Sequence, residues 1–147
     1  MRALIVYDTL TGQTEKVAHA ISDGMKEAGF VDVIVMRAKR VEPEDFASSD
    51  VWIIGSPTHL STATHEIRGA VKTAVKGGVK GKRAVVFDTR IAGVGKGAND
   101  KIVPILSEAG VQLVCEPCSF IVDKYLESGE EMKAVEFGKR IANALSQ

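Results

Sequence analysis

The sequence is poor in most features that mark a specialised chain. Among 147 residues there are two cysteines, three histidines, four prolines and one tryptophan. Two cysteines cannot build a disulfide framework, and no second pair stands by to complete a structural zinc site. No apolar run approaches the ~18 residues of a membrane span. Met1-Arg2 leads straight into Ala3-Leu4-Ile5-Val6-Tyr7, too short for a signal-peptide core with its cleavage site. Net charge is absent as well, with 19 Lys plus Arg against 19 Asp plus Glu. That removes any whole-protein argument for nucleic acid. No repeat, linker or low-complexity tract is visible. The expectation is one soluble, cytoplasmic domain over residues 1–147, without a membrane span, a metal site or a nucleic-acid partner.

What is present is an alternation of short apolar runs and amphipathic segments. Ala3 to Tyr7 is apolar without alternation, as in a strand covered on both faces. Val17, Ala18, Ile21, Met25 and Ala28 recur at helical spacing, and Gly29 stops the helix. Strands are expected at Val31 to Met36, Val51 to Ile54 and Ala84 to Phe87. A fifth runs in two pieces, Val111 to Val114 and Ser119 to Val122. Ile67 to Val75 marks a second long helix, closed by Gly77-Gly78. A third ends near Ala109; with Asp100 as its N-cap, Pro104 falls in the first turn, where a missing N–H costs little. The last opens with a capping box, Ser128 and Glu131, and buries Val135, Gly138, Ile141, Ala142 and Leu145. Arg37 to Ser49 has room for a short helix or an irregular crossover. Strands interleaved with helices imply an α/β fold, one parallel sheet with helices on both faces. In such sheets ligands bind beyond the carboxyl ends of the strands. The loops to read therefore follow Tyr7, Ile54 and Phe87.

The first loop is Thr9-Leu10-Thr11-Gly12-Gln13-Thr14, and it opens a helix. A helix N-terminus offers free N–H groups and a positive dipole end, which suit a phosphate. Three threonine hydroxyls add donors, and Gly12 permits close approach or a positive φ. The loop has no Lys or Arg; Lys16 lies one turn on. It is neither a Walker loop nor a three-glycine dinucleotide fingerprint. The plain alternative is a Thr-rich turn with a threonine N-cap.

Thr-x-Thr-Gly-x-Thr after a first apolar strand resembles the FMN-phosphate loop of the flavodoxin family. Gly55-Ser56-Pro57-Thr58 resembles that family's second flavin loop, and the similarity reaches Gly138-Lys139-Arg140-Ile141-Ala142 in the last helix. The resemblance implies a three-layer, doubly wound, five-stranded parallel sheet of order 2-1-3-4-5. It implies that Thr9, Leu10, Thr11, Gly12, Gln13 and Thr14 hold the phosphate of FMN. Ser56, Pro57, Thr58, His59 and Leu60 would line one face of the flavin ring. Thr89, Arg90, Ile91 and Gly93 would form the third loop. The flavin would carry the chemistry, with no catalytic side chain, and a redox protein would be the partner. The alternatives are an FMN-dependent reductase of a quinone or other small acceptor, and a flavin-free module on the same scaffold.

The chain departs from that family in its aromatics. None of Tyr7, Phe30, Phe46, Trp52, Phe87, Phe120, Tyr125 and Phe137 lies between Pro57 and His65 or between Thr89 and Asp100. The ring would be covered by His59, by Leu60 and Ile91, or by a second copy of the chain, making a homo-oligomer. Arg90 is read either as a charge at the ring edge that raises the potential or as a solvated cation. His59 and His65 either assist proton transfer, with Asp8 or Asp88, or face solvent. Cys115-Glu116-Pro117-Cys118 is read as a redox or metal pair or as two half-buried thiols. On one extended strand these cysteines would lie about 10 Å apart, beyond the ~7 Å disulfide limit, unless Pro117 bends the chain.

The zero net charge conceals a polarity. From Glu66 to Lys101 there are nine basic residues and three acids; the remainder holds ten basic and sixteen acidic. If the basic stretch is functional, it expects an acidic partner.

Overall fold

A computed structural model describes all 147 residues. Apolar runs form the sheet: β1 (Ala3–Tyr7), β2 (Val33–Arg37), β3 (Val51–Pro57), β4 (Arg83–Arg90), β5 (Gln112–Leu113) and β6 (Cys118–Ile121). Between them run α1 (Gln13–Glu27), α2 (Pro43–Ala47), α3 (His65–Lys76), α4 (Ala98–Glu108) and, at the end, α5 (Glu130–Leu145). All pairings are parallel, and the order is β2-β1-β3-β4-β5, with β6 also beside β4. The order is the expected 2-1-3-4-5. The fifth position is filled by two short strands that share β4 as their neighbour, so the sheet counts six. The crossover from Arg37 to Ser49 holds a 3-10 turn at Ala38–Arg40 followed by α2.

Strand alternation divides the core in two. Ile5 and Ile53 of β1 and β3, with Val85 and Phe87 of β4, point to the layer of α1 and α5. Leu4, Val6, Trp52, Ile54, Ala84 and Val86 point to the layer of α2, α3 and α4. Trp52 is fully buried, and its indole N–H donates to Phe46 O at 3.0 Å. The α1–α5 contact is unusually close. A Cβ on Gly24 would lie 1.9 Å from Val135 O, and one on Gly138 would lie 2.1 Å from Ile21 O. Glycine at both positions lets the two backbones touch.

Three local expectations are corrected. Gly97, not Asp100, is the N-cap of α4, so Pro104 sits in the helix interior rather than the first turn. It is tolerated there on the solvent side, where it removes one helical hydrogen bond. No capping box opens α5: its N-cap is Gly129, one residue beyond the expected Ser128, with φ 87° and no side-chain cap, and Glu130 accepts from Ile121 N at 2.6 Å. The buried face of α5 uses Ala134 and Phe137, while Val135 is half-buried. No helix is long and apolar enough to cross a membrane.

Candidate functional site

The carboxyl ends of β1, β3 and β4 lie side by side, so the loops that follow them converge. Gly12 begins α1 with φ 90°, in the left-handed region that glycine enters without strain. The chain before it folds on itself: Thr9 N donates to Asp8 Oδ1 at 2.9 Å, and Gly12 N donates to Thr9 Oγ1 at 2.8 Å. No side chain caps α1. The backbone N–H groups of Leu10, Thr11, Gln13, Thr14 and Glu15 find no acceptor in the protein. A threonine N-cap is therefore not what the loop provides. Its free donors make a cradle for an oxyanion, and the helix dipole points its positive end there.

The start of α4 is the opposite case. Gly97 N donates to Asp100 Oδ2, Ala98 N to Thr58 Oγ1, and Asn99 N to Asp88 Oδ2, at 2.8, 3.0 and 3.0 Å. That N-terminus is closed by side chains from three elements.

Between the loops lies a cleft of about 170 Å³. Its first wall is Leu10, Thr11, Gln13 and Thr14; its second is Pro57 and Thr58; its third is Thr89, Arg90 and Ile91. Nine of the fifteen expected residues thus meet in one place. Thr9 and Gly12 lie behind the first wall and shape it. Ser56 is buried, with its hydroxyl committed to Pro57 O and to Thr64 N. His59 and Leu60 extend from the second wall, in a tight turn closed by His59 N to Thr62 O and Thr62 N to His59 O. Leu60 and Ser61 both take positive φ there, 50° and 67°. Gly93 does not line the cleft.

Arg90 is not a free loop cation. Its guanidinium grips the fully buried Asp88, with Nε 3.1 Å from Oδ1, and lies 3.8 Å from Asp100. The Asp88 hydrogen bond raises its pKa further. The pair also ties the third loop down through Val94 O at 3.4 Å.

Three contributions escape a loop-by-loop reading. Arg37, at the end of β2, donates to Thr9 O at 3.2 Å and sits 3.8 Å from Asp8. It brings to the first loop the cation that the loop lacks. The signal is the parallel register, which sets Arg37 opposite Tyr7. Val122 and Asp123, just after β6, form a fourth wall. Their turn is fixed to α1 by Leu126 N donating to Gln13 Oε1 at 3.0 Å. Tyr125 stands on that turn, 62% exposed. Each of the four loops thus carries one exposed large apolar side chain: Leu10, Leu60, Ile91 and Tyr125.

Tyr7, beneath the first loop, donates to Glu15, and burial followed by that hydrogen bond raises its pKa to about 12. Cys115 sits in the bend after β5 and Cys118 begins β6, and burial pushes both thiols up. No group of three metal-ligating side chains is present.

A family model described as Flavodoxin matches residues 5–138. The chain is 28% identical over 158 residues to a flavodoxin of Clostridium saccharobutylicum, across 100% of this chain and 99% of that one. It is 27% identical over 146 residues to a nitric oxide reductase of Moorella thermoacetica, covering 96% of this chain and 35% of that protein. Against that relative the chain spans about a third of the length. Among solved structures, a flavodoxin from the domain Archaea matches with a TM-score of 0.87 at 21% identity, over the whole of both chains, a likeness of fold.

Proposed function

The chain belongs to the flavodoxin family, and from that premise we propose that Thr9 to Thr14 hold the phosphate of one non-covalently bound FMN. The domain is an FMN-binding electron-transfer protein that passes electrons to redox partner proteins. The flavin supplies the redox chemistry; the protein sets its position, access and potential. Residues 1–147 are read as one such domain, and a cytoplasmic location belongs to the same reading.

The observation that carries the site is the bare N-terminus of α1, whose unpaired N–H groups face the same cleft as the Thr11 and Thr14 side chains. A phosphate there accepts several charge-assisted hydrogen bonds, worth roughly 1.5–3 kcal/mol each. Arg37 adds a cation one strand away. The enclosed volume is below the ~300 Å³ of a typical ligand pocket and suits the phosphate-bearing tail. The ring then lies at the mouth, against Pro57, Thr58, His59 and Leu60 on one side and Thr89, Arg90, Ile91 and Gly93 on the other, with Ser56 bracing the second wall. Leu60 and Ile91, not aromatics, are the cover in this reading. A second copy of the chain completes it in a homo-oligomer.

The test is a titration of the flavin-free protein with FMN and with riboflavin, followed by quenching of flavin fluorescence. FMN should bind saturably, and riboflavin, without the phosphate, at least about tenfold more weakly. Equal binding of both, or none, would overturn the assignment. Steady NAD(P)H oxidation by the FMN-loaded chain alone would mark a reductase of a small acceptor instead of a carrier.

The proposed partner is acidic. Lys72 and Lys76 on the outer side of α3, with Lys80, Lys96 and Lys101, are exposed. Lys82 and Arg90 are excluded from that surface by their bonds to Ala47 O and Ser49 O and to Asp88. Electron-transfer rates should fall as salt rises; rates indifferent to ionic strength would remove the acidic partner.

A further inference from the structure

Two short strands follow one another along the outer edge of β4, and their registers do not agree. Leu113 of β5 stands opposite Ala84, and Cys118 of β6 stands opposite Phe87. The outer chain thus takes five steps where β4 takes three. Three strand steps cover about 10 Å, and five would cover about 17 Å. The surplus is thrown out as a bulge. Val114 N still donates to Ala84 O at 2.8 Å, the chain bends at Val114 and Cys115, and it is back beside β4 at Cys118. Cys115 and Cys118 form the neck of that bulge, with Glu116 and Pro117 at its tip.

The bulge also changes which way the side chains point. On a continuous strand, residues three apart face opposite sides of the sheet. Here Cys115 and Cys118 both pack against the core that α1 and α5 cover. Both line one cavity of about 320 Å³, with Phe137 and Arg140 of α5 on its other wall. Along the strand the two cysteines are separated by no more than about two steps, or ~7 Å, which is the reach of a disulfide between Cα atoms. Burial raises the Cys115 pKa, Arg140 opposes that rise and Cys118 adds to it, so the two sulfurs are within electrostatic reach of each other. Both thiols are half-buried and reachable from the cavity. No third metal-ligating side chain stands with them, so the pair is not a metal site.

We propose that Cys115 and Cys118 are a reversible redox pair, closing an intramolecular disulfide by exchange with a low-molecular-weight disulfide. One cysteine, as its thiolate, attacks a sulfur of that disulfide and releases the first small thiol. The second cysteine attacks the mixed disulfide so formed and releases the second. The protein loses two electrons and two protons; the small disulfide gains both and leaves as two thiols. Arg140 favours the attacking thiolate. Burial holds back that thiolate, so exchange is slow at neutral pH and quickens as pH rises. In a reducing compartment such a pair is open at rest and closes under oxidation. The inference does not rest on flavin binding.

The probe is glutathione. The full chain, with FMN added, is equilibrated at mildly alkaline pH in mixtures of the reduced and oxidised forms, quenched in acid, unfolded and alkylated, and weighed by mass spectrometry. The expected result is one transition from two alkylated cysteines to none, with a loss of two hydrogen atoms and no glutathione retained. It should be independent of protein concentration and fully reversed by dithiothreitol. Cys115→Ser and Cys118→Ser each remove the resolving thiol, so each variant should stop at a single glutathione adduct on the cysteine that remains. Two glutathione adducts on the unaltered chain, disulfide-linked dimers in place of the internal bond, or both thiols still free in excess oxidised glutathione would each overturn the proposal.

Discussion

The hydroxyls of Thr14 and Thr89 lie 2.8 Å apart, joining the first turn of α1 to the end of β4. Both residues are almost wholly buried. The bond spans 75 positions in sequence and clamps the first and third loops together at the floor of the cleft. Thr14→Val keeps the shape and strands the Thr89 hydroxyl, which should cost about 1–3 kcal/mol. The double change, Thr14→Val with Thr89→Val, should cost less than the two singles added, because neither hydroxyl is then left alone. Urea unfolding of the four proteins measures the difference; strict additivity would mean that the bond contributes nothing.

The Arg90–Asp88 pair makes a harsher prediction. Asp88 is fully buried, and removing the guanidinium leaves a carboxylate with Asn99 N–H as its remaining donor. Arg90→Met should destabilise by roughly 3–5 kcal/mol, as for other broken buried pairs. Adding Asp88→Asn to that variant should restore part of the loss. Midpoints of denaturant unfolding decide it; a loss under about 1 kcal/mol would place Arg90 among ordinary surface pairs.

Gly24→Ala and Gly138→Ala should both be destabilising even though alanine is the better helix former. The new methyl would meet backbone oxygen, which cannot rotate away. Overpacking of this kind costs about 1–3 kcal/mol, or about 2–4 °C in Tm for each kcal/mol in a chain of this size. Thermal unfolding followed by circular dichroism is sufficient.

Tyr7 predicts an alkaline limit. Its pKa of about 12 lies above the ordinary value of 10, so the native chain holds the phenolic proton more tightly than the unfolded one. The resulting stabilisation is complete below pH 10 and is lost as pH rises from about 10 towards 12. Phenolate absorbance near 295 nm should show one tyrosine step near pH 12, absent in Tyr7→Phe.

Cys115 and Cys118 should react slowly with a thiol reagent at neutral pH, because burial holds both in the thiol form. Denaturant should release two fast-reacting groups. Rapid labelling of the native chain would contradict the described burial.

Much of this is legible in the sequence, and the reason is locality. The Thr9–Thr14 cradle is contiguous, so spacing alone reveals it, and five apolar runs at crossover distance dictate a parallel sheet. Thr58 capping α4, Arg37 serving the first loop and Val122 closing the cleft are all contacts between distant segments. Asp100 was the natural N-cap on local grounds, yet Gly97 takes the position because Thr58 and Asp88 arrive from other strands to satisfy the helix donors. Ser128 and Glu131 match a capping pattern, but the helix starts from Gly129 in the left-handed region, which puts that pair out of register with the N-cap.

The backbone contact at Gly24 and Gly138 also sets an order of events during synthesis. The cradle residues leave the ribosome first, but α1 is seated against Ala134, Phe137 and Ile141, which emerge more than a hundred residues later. A nascent chain that has reached β6 carries the full Thr9–Thr14 sequence without the wall that orients it. If Thr9 to Thr14 hold the phosphate as proposed, that site is complete only once α5 has docked on α1.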